Sequence, residues 1–203
     1  MKPTCTIIAG PNGSGKSSIY QKLSPPGRFI NADEIALSLD ANLPSEIRRV
    51  KAGRATISLI SEMISTMQSF VFETTLSSSH SIETMRIARL AGFHVALVYV
   101  VLHDPEQNVE RVRFRVATGG HDIPADNIIR RYEKSLRNLP RAVALCDEGV
   151  LIDNSEQVPI FLSEFQAGGE FRFNRISERP TELHARLHDI LREFHSSRSQ
   201  SED

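Results

Sequence analysis

Five short apolar runs alternating with stretches of helical periodicity predict an α/β fold, a doubly wound parallel sheet of five strands with helices on both faces. Three observations carry that prediction. The runs Thr4–Ala9, Arg28–Asn31, Phe70–Phe72, Phe93–Leu102 and Gly149–Asp153 have strand length. The segments between them are long enough for the crossover helices that parallel neighbours require. The longest run, Phe93 to Leu102, is nearly continuous in apolar and β-branched residues, the pattern of a central strand covered on both faces.

The first strand leads directly into Gly10-Pro11-Asn12-Gly13-Ser14-Gly15-Lys16-Ser17. The helix that follows, Gly15 to Leu23, stops at Ser24-Pro25-Pro26-Gly27, where two prolines and a glycine cannot continue it. After the second strand, Pro44 opens a segment to about Ser69 with Ile47, Val50, Ile57, Ile60, Ile64 and Met67 close to helical spacing, read as one long helix or two short ones. Phe70-Val71-Phe72 ends at Glu73, and Ser81 to Ala91 reads as a helix stopped by Gly92. Pro105 to Thr118 is the next helix; Gly119-Gly120 breaks it, and Ile123-Pro124 precedes another that runs through Leu139. Beyond the fifth strand, Pro159 to Gln166 and Glu170 to Asn174 flank Ala167-Gly168-Gly169 and could pair as a hairpin that either extends the sheet or stands apart. Pro180 introduces a last amphipathic helix, Thr181 to Phe194, ahead of a polar end. With no internal repeat or clear linker, the 203 residues are read as one domain, with a lid region at about 105–139 and the hairpin and final helix at 156–195.

Composition narrows the function. The 24 basic and 25 acidic residues, a net charge of −1, argue against a general electrostatic grip on nucleic acid and favour a small substrate. Cys5, inside the first strand, and the distant Cys146 make neither a disulfide framework nor a metal cluster; they read as buried, inert thiols in a reducing cytoplasm. The first strand begins within four residues, leaving no room for a signal peptide, and no apolar run approaches ~20 residues. A soluble cytoplasmic protein without a membrane segment is the expectation.

The stretch Gly10 to Ser17 matches G-x-x-x-x-G-K-[ST] in full, between a strand and a helix, and is a P-loop. Glycines let the backbone curl so that successive N–H groups face one phosphate chain, and the helix adds the positive end of its dipole. Gly10, Asn12, Gly13, Ser14, Gly15, Lys16, Ser17 and Ser18 are therefore the candidate ATP-binding residues. Lys16 is placed to neutralise β/γ-phosphate charge, and the Ser17 hydroxyl to ligate Mg²⁺. A mere glycine turn between strand and helix would tolerate most residues at those two positions.

Ligands of open α/β sheets sit outside the carboxyl ends of the strands. There stand Asp33, Glu73 and His103-Asp104. Transfer of a phosphoryl group to a hydroxyl needs a carboxylate to orient the acceptor and take its proton, and acidic or hydroxyl groups around Mg²⁺; Asp33 and Glu73 could divide those tasks. Asp33 would serve equally as a helix N-cap, Glu73 as a solvated strand end, and Asp104 before Pro105 as a cap or turn residue. Arg111 and Arg115 share a helical face that Arg113 does not, and with Arg131 they suit a kinase lid hinged at Gly119-Gly120. Arg115 and Arg131, which flank the glycine break, are the favoured pair, against the alternative of an exposed basic helix paired with Glu106 and Glu110. His121 is either a substrate contact or a solvated loop residue.

The P-loop, Asn31-Ala32-Asp33-Glu34-Ile35, Phe72-Glu73-Thr74-Thr75-Leu76-Ser77, Gly119-Gly120-His121 with Arg131-Tyr132, and Asp153-Asn154-Ser155 together resemble the zeta-toxin family of P-loop kinases, in particular its short stand-alone members. The resemblance covers about residues 4 to 155 and leaves out the hairpin and last helix. It implies a phosphotransferase that moves the γ-phosphate of ATP to a hydroxyl of a UDP-amino sugar. It also implies Asp33 as general base, Glu73 and Thr75 as substrate-side contacts, Lys16 and Ser17 as phosphate and Mg²⁺ ligands, lid arginines as charge stabilisers, and Asn154 against the adenine; a cognate antitoxin is the candidate protein partner. Family toxins carry a longer substrate-binding region than this chain has between Glu73 and Phe93. The expectation is thus an ATP-dependent kinase for a small hydroxyl-bearing acceptor, with a UDP-N-acetylamino sugar leading. The alternatives are a kinase for a nucleoside or polyol, and a nucleotide-dependent switch that acts through a partner.

Overall fold

The sheet is built outward from strand β1 (Thr4–Ala9), which the computed structural model places between β3 (Phe70–Thr74) and β4 (His94–Val101). The structure describes residues 2–120, 122–167, 171–176 and 181–199. β2 (Arg28–Asn31) lies outside β3, and β5 (Glu148–Asp153) outside β4. These five strands pair in parallel, as the alternation with helices requires. The expected C-terminal hairpin extends the sheet: β6 (Ile160–Gln166) runs antiparallel to β5, and β7 (Phe171–Asn174) antiparallel to β6. Its connection, 168–170, falls outside the described residues.

Side chains of successive strand residues point to opposite faces, and the burial follows. Ile7, Leu97, Tyr99 and Leu151 enter a core shared with helices α3 (Ser45–Ser65), α4 (Ser79–Leu90), α6 (Ala125–Leu145) and α7 (Glu182–Ser199). Ile8, Val98, Val100 and Ile152 face the other way and meet Ile19 of α1 (Lys16–Leu23). Val109 and Val112 of α5 (Pro105–Ala117) make a third cluster with Ile123 and Ile128. Asp104 caps α5, its side chain accepting from Gln107 N at 2.8 Å. Among the described residues no helix is long and apolar enough to cross a membrane.

Several element limits differ from expectation for physical reasons. The segment after Pro44 is one helix of 21 residues, continuous because Ala52, Thr56, Ile60 and Met63 form a single buried stripe. Helix α6 does not end at Leu139 but runs through Pro140 to Leu145. An internal proline costs about 3 kcal/mol or more. Continuing past it buries Ala142 and Val143 completely and delivers Cys146 to the core, at about 1–3 kcal/mol for each sizeable apolar side chain. The short helix α2 (Ala32–Ser38) is capped by Asn31, whose side chain accepts from Asp33 N at 2.8 Å; Asp33 is therefore not the cap.

Candidate active site

Where β1 ends, the chain must leave the sheet between two strands, and only glycine fits the exit. Gly10 has φ +143°, and a Cβ there would sit 1.9 Å from the Val100 carbonyl oxygen. Gly13, at φ +80°, passes so close to α5 that a Cβ would lie 2.5 Å from the Asn108 carbonyl oxygen. The loop is then fixed by two amides from distant parts of the chain. Asn108 Nδ2 donates to Asn12 O at 2.6 Å, and Asn154 Nδ2 donates to Ser14 O at 2.8 Å. Gly10 and Ser14 are buried beneath the loop, whereas Asn12, Gly13, Gly15, Lys16, Ser17 and Ser18 wall the cavity above it.

That cavity has a volume of about 630 Å³ and lies at the carboxyl ends of β1, β2 and β3. Lys16 lies at its base and is 6% exposed, its Nζ donating to Pro11 O at 2.9 Å. Burial pulls the ammonium below the ordinary lysine range; Glu73 and Asp33 oppose that pull, and Arg115 and Arg131 add to it. The register that pairs Ile8 with Glu73 brings the carboxylate beside the first turn of α1, where Ser17 Oγ donates to Glu73 Oε2 at 3.0 Å. Burial raises the Glu73 pKa, while Lys16 and the Ser17 hydroxyl partly hold it down. Asp33, freed from capping by Asn31, lines the same cavity from the first turn of α2.

Arginines of α5 and α6 line the same cavity. Arg111 and Arg115 line the cavity from α5 and Arg131 from α6, while Arg113 is exposed on the far face. Arg131 Nη1 donates to Asn12 Oδ1 at 3.1 Å, and burial lowers its pKa against the attraction of Asp33. Arg111 is occupied structurally: Nη2 donates to the carbonyls of Asn154 at 2.9 Å and Ser155 at 3.2 Å. Asn154 itself braces the P-loop and does not line the cavity. The Thr75 and Ser77 hydroxyls share a hydrogen bond of 2.8 Å in the wall. His121 lies outside the described residues.

Residue spacing did not disclose the rest of the wall. Gly53, Thr56 and Ile57 enter from the middle of α3, and Ser78, His80 and Ser81 from the start of α4. The turn between Thr75 and Ser77 is strained, with Leu76 at φ 56°. It is held by Asn138 Nδ2, which donates to Leu76 O at 2.8 Å, and by Leu76 N, which donates to Thr74 Oγ1 at 3.2 Å. Asn108 is the single polar residue among the buried positions of α5, the one signal that such a brace leaves in a sequence.

Five parallel strands with a P-loop between β1 and α1, acidic residues at the neighbouring strand ends and arginines lining the same cavity define a P-loop, kinase-like α/β domain, a class whose fold implies nucleotide binding. The chain belongs to the family described as AAA domain, whose model matches residues 6–139. It is 33% identical over 133 residues to an uncharacterized protein of Haemophilus influenzae, an overlap of 65% of this chain and 94% of that protein. Among solved structures, the AvrRxo1-ORF1:AvrRxo1-ORF2 complex with ATP is similar at a TM-score of 0.69 and 16% identity, covering 95% of this chain and 76% of that one. The PezAT chromosomal toxin–antitoxin system of Streptococcus pneumoniae is similar at a TM-score of 0.58 and 14% identity, covering 97% and 86%. At such identities the likeness is one of fold.

Proposed function

We propose that this chain is an ATP-dependent phosphotransferase that moves the γ-phosphate of ATP to a hydroxyl of a small acceptor. The observation that carries the reading is the convergence on one cavity of a P-loop lysine, a hydroxyl–carboxylate pair, a second carboxylate and arginines of α5 and α6. A purely nucleotide-holding pocket needs no carboxylate beyond the metal shell. Here Glu73 is already engaged with Ser17, while Asp33 is unneeded for capping and faces the same space.

Mg²⁺ fits the residues present, since Ser17 Oγ and Glu73 Oε2 are hard oxygen donors 3.0 Å apart beside the phosphate loop. When bound it would neutralise charge between the β- and γ-phosphates. Ser17 would ligate it, and Glu73 would hold its shell, a change of emphasis from a substrate-side contact. Lys16 and the loop N–H groups hold the phosphates in line; Asp33 orients the acceptor hydroxyl and takes its proton; Arg115 and Arg131 stabilise charge on the group in transit. Thr75, His121 and the serines of the wall contact the acceptor. The whole chain acts as one cytoplasmic catalytic unit.

Within this reading the acceptor is a UDP-N-acetylamino sugar and the catalytic unit a short zeta-toxin-type kinase. The sequence resemblance to zeta-toxin kinases supports it, and the fold likeness to the PezAT toxin–antitoxin system makes an antitoxin the partner to seek. The same likeness favours the second reading, a nucleotide-dependent switch acting through that partner. ADP release from ATP and Mg²⁺, measured with and without UDP-sugars, nucleosides and polyols, separates the two. Acceptor-stimulated release with a product of the phosphorylated mass is expected. Lys16→Ala is expected to abolish nucleotide binding or turnover, and Asp33→Asn to keep ATP binding while transfer falls about 10²–10⁴-fold. Full transfer by Asp33→Asn removes it as the base; no stimulation by any acceptor supports the switch.

A further inference from the structure

At the end of β5, outside the lining of the cavity, three side chains from separate parts of the chain meet. Asp153 ends β5, His103 follows β4, and His184 lies in the first turn of α7. His103 Nε2 lies 3.1 Å and His184 Nε2 3.2 Å from the same oxygen, Asp153 Oδ2. The two rings stand nearly perpendicular, at 83°, with centroids 5.8 Å apart. Asp153 and His184 are 1% and 0% exposed, and His103 is partly open.

The unsatisfied atom is the telling one. Asp153 Oδ1 accepts from Ser155 N at 2.9 Å and from the Ser155 hydroxyl, but Oδ2, equally buried, receives no hydrogen bond despite the two nearby ring nitrogens. A carboxylate oxygen this deep in the protein needs a cation or donors pointed at it. Other hydrogen bonds hold the His184 ring and the His103 backbone in place. His184 Nδ1 pairs with the Thr181 hydroxyl, and the backbone of His103 is tied on both sides, its N–H donating to Ser155 Oγ at 2.8 Å and its carbonyl accepting from Tyr132 at 3.3 Å. Outer partners of this kind fix imidazole ligands in metal sites.

We propose that His103, Asp153 and His184 form a binding site for one divalent transition-metal ion, with Zn²⁺ as its occupant. Two imidazole nitrogens and one carboxylate oxygen suit Zn²⁺ rather than Mg²⁺ or Ca²⁺, which favour all-oxygen shells. In a tetrahedral site with bonds of about 2.0–2.1 Å, donor atoms stand about 3.3 Å apart, close to the two separations here, and all three donors lie within 4.8 Å of one another. Three protein ligands leave the fourth position to water from the His103 side. The ion staples α7 to the end of β5, one residue before the Asn154 that holds the P-loop. Its role is therefore structural, separate from the Mg²⁺ expected at Ser17.

The test is equilibrium titration of untagged, chelator-stripped full-length chain with Zn²⁺ against a chromophoric competitor, in the presence of millimolar Mg²⁺. One Zn²⁺ per chain is expected, with affinity lowered at least about tenfold in His103→Ala and in His184→Ala. His103 is partly exposed, so its variant should keep the native circular dichroism; Co²⁺ should give a tetrahedral visible spectrum in the unmodified chain and none in this variant. Excess Zn²⁺ should raise Tm by about 5–10 °C in the unmodified chain alone. No stoichiometric Zn²⁺, or equal binding by a folded His103→Ala chain, overturns the site and leaves the cluster a proton-sharing trio.

Discussion

Gly15 and Asn154 offer a quantitative test of how the P-loop is held. Gly15 is the N-cap of α1 at φ 91°, ψ 22°, and a Cβ on it would lie 2.3 Å from Asn154 Nδ2. Gly15→Ala therefore carries two penalties. Left-handed backbone costs a non-glycine residue about 1–2 kcal/mol. The methyl also expels the Asn154 amide from Ser14 O, an interaction of 2.8 Å worth about 1 kcal/mol. Together these give roughly 2–3 kcal/mol, or a Tm lowered by about 5–10 °C in a domain of this size. Asn154→Ala alone loses only the hydrogen bond, about 1 kcal/mol. In the double variant the clash has nothing to hit, so the total should stay at roughly 2–3 kcal/mol, about 1 kcal/mol less than the sum of the singles. Urea unfolding of all four proteins reads the cycle directly. Additivity within about 0.3–0.5 kcal/mol would show that the methyl does not displace Asn154, and the account of the brace would be wrong.

Two further outcomes follow from burial. If ionised Glu73 supports Ser17 as proposed, acceptor phosphorylation should decline on the acid side at a pH above the 4.5 of an ordinary glutamate, and Glu73→Gln should remove that limb from the pH profile of kcat/KM. The folded chain holds this proton more tightly than the unfolded one. Glu73's contribution to stability is therefore fully present below about pH 4.5 and lost as pH rises through the raised value, which urea midpoints of the two proteins across pH would show. Cys5 and Cys146 are both fully buried; burial pushes the Cys146 thiol up to about 12 and the Cys5 thiol higher still. A thiol reagent should find neither in the native protein and both in urea, and rapid native labelling would contradict the packing of β1.

Much of the site was readable because its chemistry is local. A phosphate cradle needs glycines, lysine and serine at fixed spacing after a strand, so the loop from Gly10 to Ser17 declares itself, and the position of Glu73 at a strand end follows from parallel pairing. Asp33 is ambiguous in sequence because a carboxylate at the start of a helix serves capping or catalysis equally well; Asn31, two residues earlier, takes the cap, and Asp33 lines the cavity. The end of α6, expected at Leu139, just before Pro140, lies further on for the opposite reason. The local preference of a proline is to end a helix, and the core on both sides of Pro140 outweighs that preference.

By itself the sequence determined the order of strands and helices, the P-loop, and that the long central strand is covered on both faces, since these depend on neighbours within a few residues and on the local pattern of apolar residues. The tertiary structure alone decided that the hairpin joins β5, that Asn108 and Asn154 brace a loop 96 and 140 residues away, and that Arg111 is spent on carbonyls while Arg115 and Arg131 face the cavity. It alone brought His103, Asp153 and His184 to one point. Contacts of that range arise from how the elements pack, and one asparagine or histidine among apolar neighbours gives no sign of which distant group it will meet.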